Sequence, residues 1–131
     1  MLRAKQAGAG LLAALLSSAV LAATPAELLA GYTAQAGAPA QAARGQAFFT
    51  ALHGRAWSCA SCHAALPIGT GQHAGTGKSI SALAPAFNPE RFRDPAKVEK
   101  WFRRNCNDVA ARACTPGEKA DLLAWLISLQ P

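Results

Sequence analysis

The first helical pattern of the chain begins at the sequence TPAE, in which Thr24 can cap a helix. Pro25 fits the first helical position, and Glu27 stands three residues after the cap, so the three residues match a capping box. Apolar positions at helical spacing continue to Tyr32. The sequence GAP at residues 37–39 ends the pattern. We expect the first helix to lie between these two signals.

The last helix carries the same starting signal, because TPGE at residues 115–118 precedes the mostly apolar stretch KADLLAWLISLQ. Two further helices are expected between the first and the last. One extends from about Pro39 to Leu52 and ends at Gly54, and the other starts at Asp94-Pro95 and ends near Asn105.

The stretch at residues 66–89 differs from the rest of the chain, since it is rich in Gly, Ser, Thr and Pro and has no sustained period. The sequence shows neither strand-like alternation nor an internal repeat. The pattern therefore predicts an all-α domain with one long loop.

The helix that precedes residue 105 has one apolar face. Four of its residues recur at helical spacing, Val98, Trp101, Phe102 and Asn105. Asn105 falls near the middle of this face, whereas Asn107 points to the opposite side. A buried amide without a partner costs about 1–3 kcal/mol. Asn105 therefore needs either a backbone partner at the helix end or a ligand.

The N-terminus has the composition of a secretory signal peptide. Arg3 and Lys5 provide a positive end, an apolar run extends over residues 11–21, and small residues allow cleavage after Ala22 or Ala23. The apolar run is about half of the roughly 20 residues that a membrane-spanning helix needs. We therefore expect cleavage and no stable membrane insertion.

The expected organisation is a cleaved signal peptide, residues 1–23, followed by a single domain, residues 24–131. Export would place that domain in the periplasm. Removal of Arg3 and Lys5 lowers the formal charge from +6 to +4. Such a charge is too small to indicate nucleic-acid binding, but it can steer an acidic redox partner.

The sequence CASCH carries the clearest chemistry. Cys59 and Cys62 are three residues apart and His63 follows directly, which is the spacing of c-type haem attachment. A zinc site would need a second pair at similar spacing, whereas Cys106 and Cys114 are eight residues apart. A redox dithiol would need βαβ surroundings. We expect one covalent haem c, with His63 as the proximal iron ligand.

The sixth ligand of the iron is less obvious. Electron-transfer cytochromes usually fill this position with Met or a second His, but the sole Met of the chain, Met1, belongs to the expected signal peptide. The remaining donors are His53, His73, Lys78, Asn88, Asn105, Asn107, and Cys106 or Cys114 as a thiolate. We expect His53 and His73 to be exposed to solvent. The residue pattern alone leaves the ligand undecided.

Three segments behind CASCH resemble the sphaeroides haem protein (SHP) family of class I, high-spin cytochromes c. They are TGKSI at 76–80, NPERFRDPAKVEKWFRRNC at 88–106 and CTPGEKADLLAWL at 114–126. The resemblance implies a small class I cytochrome c fold. It also implies that Asn105 is the sixth ligand and that Cys106 and Cys114 form a disulfide.

Two residue pairs also resemble the helix crossing of class I cytochromes c. Gly45 and Phe49 are four residues apart on the second helix, and Leu122 and Trp125 are three apart on the last. We expect these four residues to pack together in the core and not to form part of the site.

The function that these expectations describe is a high-spin haem protein that opens on reduction. An amide is a hard donor that suits ferric iron better than ferrous iron, so reduction would release Asn105 and admit NO, O₂ or CO. The resemblance implies electron donation by a dihaem cytochrome c. Two alternatives remain: an electron shuttle with a second His ligand such as His73, and a small haem enzyme acting on oxygen or nitrogen oxides.

Overall fold

The structure, a computed structural model, describes residues 22–131. Within that range the helices are α1 Pro25–Ala36, α2 Ala42–Thr50, α3 Ala60–His63, α4 Pro95–Ala110 and α5 Pro116–Ser128, and the strands are β1 Gly71–Gln72 and β2 Ser79–Ile80. The all-α prediction is confirmed. The predicted signal peptide falls outside the described residues except for its last two. Across residues 22–131, no helix has the length and apolar character needed to cross a bilayer.

Both predicted capping boxes are present. Thr24 Oγ1 accepts a hydrogen bond from the Glu27 backbone N–H at 3.1 Å, and Glu27 Oε2 accepts from the Thr24 backbone N–H at 2.7 Å. At α5, the Thr115 Oγ1 and Glu118 Oε2 atoms accept the equivalent bonds at 3.2 and 2.8 Å. Each box satisfies two N–H groups that a helix N-terminus leaves without partners.

Helix α2 is shorter than the pattern predicted. Gln41 is extended, with φ −127° and ψ 111°, and its backbone N–H donates to Asp121 Oδ1 at 2.6 Å. This contact with α5 fixes the start of the helix at Ala42 rather than near Pro39. At the other end, Ala51 leaves the helical conformation with ψ 150°.

Helices α2 and α5 cross at Gly45, as the resemblance implied. A Cβ on Gly45 would overlap the backbone carbonyl of Asp121 and would lie 2.8 Å from the Leu122 nitrogen. One turn later, the Phe49 and Trp125 rings pack with their centroids 5.0 Å apart. The missing side chain of Gly45 therefore sets the distance between the two helices.

The Asp121 carboxylate is buried beside this crossing. Arg44 donates to it twice, from Nε to Oδ2 at 2.7 Å and from Nη2 to Oδ1 at 3.0 Å. Burial alone would raise the pKa of Asp121, but the hydrogen bonds from Arg44 and from the Gln41 backbone outweigh it and lower the pKa. The carboxylate therefore stays ionised and joins the start of α2 to α5.

Helix α4 is longer than predicted, because it continues past Asn105 to Ala110. The buried side of the helix consists of Val98, Cys106 and Val109. Trp101, expected on the buried face, is instead 42% exposed. Asn105 consequently lies at the edge of the buried side, about 20° from Val98 in helical projection, and is half-buried.

Two connections hold α4 against its neighbours. The structure joins Cys106 to Cys114 by a disulfide, with the Cα atoms 5.7 Å apart. Glu99 accepts hydrogen bonds from Tyr32 Oη at 2.5 Å and from Lys119 Nζ at 2.8 Å, and so links α4 to α1 and α5. Burial would raise the pKa of Glu99, but the bonds from Lys119 and Tyr32 lower it overall.

The predicted loop at residues 66–89 contains a short hairpin that the sequence pattern did not indicate. Its two strands pair antiparallel, with Gly71 opposite Ile80 and Gln72 opposite Ser79. A Cβ on Gly71 would overlap the carbonyl oxygen of Cys62. The hairpin therefore packs directly on α3.

Substitution of Gly45 by Ala should destabilise the protein by about 1–3 kcal/mol, because the added methyl forces α2 away from α5. Gly31 provides a matched control, since it lies inside α1 and a Cβ there meets nothing within 4 Å. Gly31→Ala should be neutral or stabilising by up to about 1 kcal/mol. Denaturant unfolding of both variants measures the difference, and equal midpoints would contradict the crossing.

Candidate haem site

The residues of CASCH form the single helical turn α3. The backbone N–H groups of Cys62 and His63 donate to the carbonyl of Cys59 at 3.3 and 3.0 Å. The turn is supported in front by Ser58, whose backbone N–H donates to Ser61 Oγ at 3.0 Å. Helical geometry thus places both thiols and the imidazole on one small segment.

The two thiols do not have the properties of a redox dithiol. Cys59 and Cys62 are both half-buried and free, and burial raises the pKa of the Cys59 thiol to about 11. Reactive C-x-x-C motifs instead have lowered thiol pKa values. No group of three or more His, Cys, Asp or Glu side chains within residues 22–131 can hold a metal ion. Both findings argue against the dithiol and zinc interpretations.

The His63 imidazole is held in its neutral form. Burial, and after it the positive charge of Arg91, lowers the pKa of His63 to about 4. The ring lies 6.2 Å, between centroids, from Phe49, which itself packs on Trp125. A neutral imidazole is the form that binds a metal, so at neutral pH His63 needs to lose no proton to bind iron.

The chain after α3 folds back over the site. Ala64 leaves the helix with φ 64°, and Pro67 is fully buried three residues later. The Pro67 carbonyl accepts hydrogen bonds from the backbone N–H groups of Leu83 and Ala84 at 3.1 and 3.0 Å. These bonds hold the distant segment around residue 83 close to α3.

Cys59 belongs to a set of partly buried apolar residues packed on the core. The cluster that contains Phe49 and Trp125 extends to further residues that keep partial exposure, namely Ala42, Phe48, Cys59, Ala60, Leu83, Phe92, Phe102 and Leu129. A flat apolar group attached to Cys59 and Cys62 would cover this surface, and His63 would face it. The porphyrin supplies four ligands to its iron, so only axial donors are required of the protein. The residues present fit a c-type haem.

Several candidate sixth ligands are engaged elsewhere. His53 is half-buried, with Nε2 2.8 Å from the Phe48 carbonyl oxygen. His73 Nδ1 accepts from the backbone N–H groups of Gly75 and Thr76, each at 3.1 Å. The expectation that both histidines are exposed is therefore wrong. Each histidine is partly buried, and its hydrogen bonds come from residues two to five positions away in the chain.

The Asn88 side chain is also engaged. Its Nδ2 donates to the Ala82 carbonyl at 3.1 Å, and its Oδ1 accepts from the Glu90 backbone N–H at 3.3 Å. No hydrogen bond within residues 22–131 reaches the side-chain amide of Asn105, and Asn105 is half-buried, whereas the likewise unbonded side chains of Lys78 and Asn107 are exposed. A half-buried amide thus remains available beside Phe102.

Comparison with known proteins agrees with this geometry. Residues 35–126 match the family described as Domain of unknown function (DUF1924). The chain is 57% identical over 107 residues to the cytochrome c-type protein SHP of Cereibacter sphaeroides, covering 79% of this chain and 82% of that protein. The chain belongs to the SHP family of c-type cytochromes. The resemblance seen in the sequence is confirmed, and membership implies a covalently bound haem c with iron.

Solved structures of related proteins share the fold. The structure of oxidized SHP, an oxygen binding cytochrome c, matches with a TM-score of 0.76 and 55% identity, covering 81% of this chain and 97% of that one. The solution structure of Methylophilus methylotrophus cytochrome c'', described with insights into haem-ligand detachment, matches with a TM-score of 0.71 and 35% identity, covering 82% and 94%. The small class I cytochrome c fold is therefore confirmed.

The sequence did not indicate Arg91, a residue near the site. Arg91 stands in the segment that carried the resemblance, between Phe87 and Phe92, yet nothing in the pattern distinguished it from the other arginines. Its partial burial and its effect on His63 become visible only in the folded chain.

Expression of this SHP-family chain with a haem-attachment system should give one haem per chain, joined through Cys59 and Cys62. Intact-protein mass spectrometry after acid–acetone extraction should retain the mass of one haem. The Cys59→Ala and Cys62→Ala variants should mature poorly, and His63→Ala should form almost no holoprotein. A chain whose colour is removed completely by the extraction would contradict covalent attachment.

Proposed function

We propose that this protein is a periplasmic, monohaem, high-spin cytochrome c that binds small ligands after reduction. His63 and Asn105 would hold the ferric iron, and release of Asn105 on reduction would free the iron to bind NO, O₂ or CO. The observation that carries the proposal is the position of Asn105, half-buried at the edge of the buried side of α4, with an amide that makes no hydrogen bond to residues 22–131 and is not fully closed off from solvent.

The haem supplies an iron that changes oxidation state and offers two axial positions. Cys59 and Cys62 would hold it by thioether bonds. His63 would bind the iron with a neutral ring, which Phe49 backs from the core. Cys59, Cys62 and His63 lie on one hydrogen-bonded turn, which restricts the movement of all three side chains.

The other donors are less suited to the opposite position. The His73 ring holds the tip of the hairpin through Gly75 and Thr76, so binding to iron through Nδ1 would cost both bonds. His53 stacks on Phe48 with the ring centroids 4.1 Å apart. Cys106 is in a disulfide. Asn105 loses no hydrogen bond when it binds a metal.

The release of Asn105 can be a side-chain movement alone. The disulfide at Cys106 and the bonds to Glu99 fix α4 on either side of the amide. An amide oxygen is a neutral, hard donor that prefers ferric to ferrous iron. A fixed helix with one weakly bound side chain therefore suits an opening that follows the redox state.

The related proteins support this function. The SHP relative is described as an oxygen binding cytochrome c, and cytochrome c'' is described in terms of haem-ligand detachment. Ligand binding and ligand release thus both occur among proteins that share this fold. We extend both properties to the present chain.

We further propose a dihaem cytochrome c as electron donor, with export by the signal peptide at residues 1–23. Helix α4 offers a basic surface to such a partner. Lys97, Lys100 and Arg104 are exposed along one side, and the Arg104 guanidinium lies 5.6 Å from the centre of the half-exposed Trp101 ring. Cationic and aromatic side chains in this arrangement favour an acidic protein surface.

Substitution of Asn105 by Ala should change the ferric visible spectrum and leave the ferrous spectrum almost unchanged, since the amide has already left in the reduced state. Ferric binding of anions such as azide should strengthen. If the ligated form is about ten times more populated than the open form, the apparent affinity rises about tenfold. Asn107→Ala is the matched control, because Asn107 is exposed on the same helix.

A second variant replaces the weak amide at position 105 by a stronger iron ligand. Asn105→His should give a low-spin cytochrome that resists CO when reduced. If Asn105→Ala had no spectral effect in either state while His73→Ala opened the site, the protein would instead be an electron shuttle with a second His ligand.

A further inference from the structure

Arg91 is a partly buried cation with no acidic partner. It lies between the hairpin and α4, and its Nε donates to the Ala82 carbonyl at 3.0 Å. Its Nη2 donates to the Ser81 carbonyl at 2.8 Å and to Ser81 Oγ at 3.2 Å. Within residues 22–131, no carboxylate forms an ion pair with Arg91, and Nη1 makes no hydrogen bond.

The guanidinium of Arg91 lacks an anionic partner on its Nη1 side. Burial lowers the pKa of Arg91, because removal from water disfavours the charged form. Arginines that are buried in proteins are normally paired with an acid. The carbonyl oxygens of Ser81 and Ala82 solvate one side of the guanidinium only, and the Nη1 side remains for a negatively charged group.

The chain next to Arg91 packs on the same core cluster as the start of α3. The next residue, Phe92, packs in the same cluster as Cys59 and Ala60. Leu83, which follows the Arg91-bound Ala82, is in that cluster too and donates its backbone N–H to Pro67. Arg91 is thus held at the border of the partly buried apolar surface where the haem fits.

The backbone next to Arg91 is strained. Phe92 has φ 59°, a left-handed conformation that is rare for a bulky aromatic residue and costs about 1–3 kcal/mol. Phe92 nevertheless packs against both core clusters. Phe92 is thus held by the core in this conformation at the position next to Arg91.

We propose that Arg91 binds a propionate carboxylate of the haem attached at Cys59 and Cys62. The haem is an apolar plate that carries two carboxylates, so it offers both the apolar surface and the anion that this segment lacks. The guanidinium Nη1 would donate to the carboxylate, while Nε and Nη2 keep the bonds to Ser81 and Ala82 that hold the side chain in place. The proposal rests on haem attachment and is independent of Asn105 as a ligand.

The test compares holoprotein variants of Arg91 with Arg93→Gln, a matched control two residues away whose side chain is exposed. Resonance Raman spectroscopy reports hydrogen bonding of the propionates through their bending mode. Arg91→Gln should shift this mode and should add an acid-side pH dependence to the midpoint potential, because a propionic acid without the neighbouring cation has a higher pKa. Arg93→Gln should change neither.

Arg91→Lys separates charge from geometry. It should shift the bending mode, because lysine lacks the planar fork, but should keep the pH dependence close to wild type. If Arg91→Gln forms no holoprotein, the bending mode of Arg91→Lys decides the question, with a shift supporting the contact and an unchanged mode overturning it.

A purely structural role for Arg91 gives a different result. In that case Arg91→Gln would lower the unfolding midpoint by loss of the bonds to Ser81 and Ala82, while the propionate mode and the pH dependence of the potential stayed as in wild type. That result overturns the proposal. A failure of Asn105 as ligand would instead appear in the ferric spin state, and would leave the propionate mode in place.

Discussion

The close approach of α2 and α5 at Gly45 is the constraint on which the rest of the structure depends. With no side chain at Gly45, the backbone of α2 rests on the backbone of α5 at Asp121. Phe49, one turn later, is thereby placed between Trp125 and His63. The same contact therefore closes the core and supports the imidazole from behind. A change at the crossing of α2 and α5 would therefore affect both the helix packing and the position of the His63 ring.

The two sides of the site are built differently. On the side of His63, every group is fixed, since α3 is a single hydrogen-bonded turn and the hairpin packs on Cys62 through Gly71. On the side of Asn105, the helix is fixed by Glu99 and the disulfide, but the amide itself has no partner among residues 22–131. If Asn105 is the distal ligand, as we propose, a fixed His63 and a movable amide are what opening of a single coordination position requires.

The sequence predicted best those features that depend on neighbouring residues. Both capping boxes involve residues three positions apart, so their geometry is local. The single turn α3 at CASCH was not predicted, because four residues are too few to show a helical pattern. The start of α2 was misplaced because Gln41 is held extended by Asp121, eighty residues away. The end of α4 was misplaced because Cys106 and Val109 continue the buried side. The hairpin strands have two residues each, too few for an alternating pattern.

The site could be predicted only in part. Spacing alone indicated Cys59, Cys62 and His63, and resemblance added Asn105. The hydrogen bonds of His73 and His53 join residues two to five positions apart, but they depend on turns that no sequence pattern indicated. The lack of an acidic partner for Arg91 is likewise a property of the fold, because composition does not show which arginine is surrounded by carbonyl oxygens.

Crystal structures of the holoprotein in the oxidised and the reduced state test the central claim most directly. The account predicts that the side-chain oxygen of Asn105 coordinates the iron opposite His63 in the oxidised crystal. In the reduced crystal the amide should have turned away, while the backbone of α4 keeps its position. Coordination by another side chain, such as His73, or an Asn105 that remains bound after reduction, would contradict it.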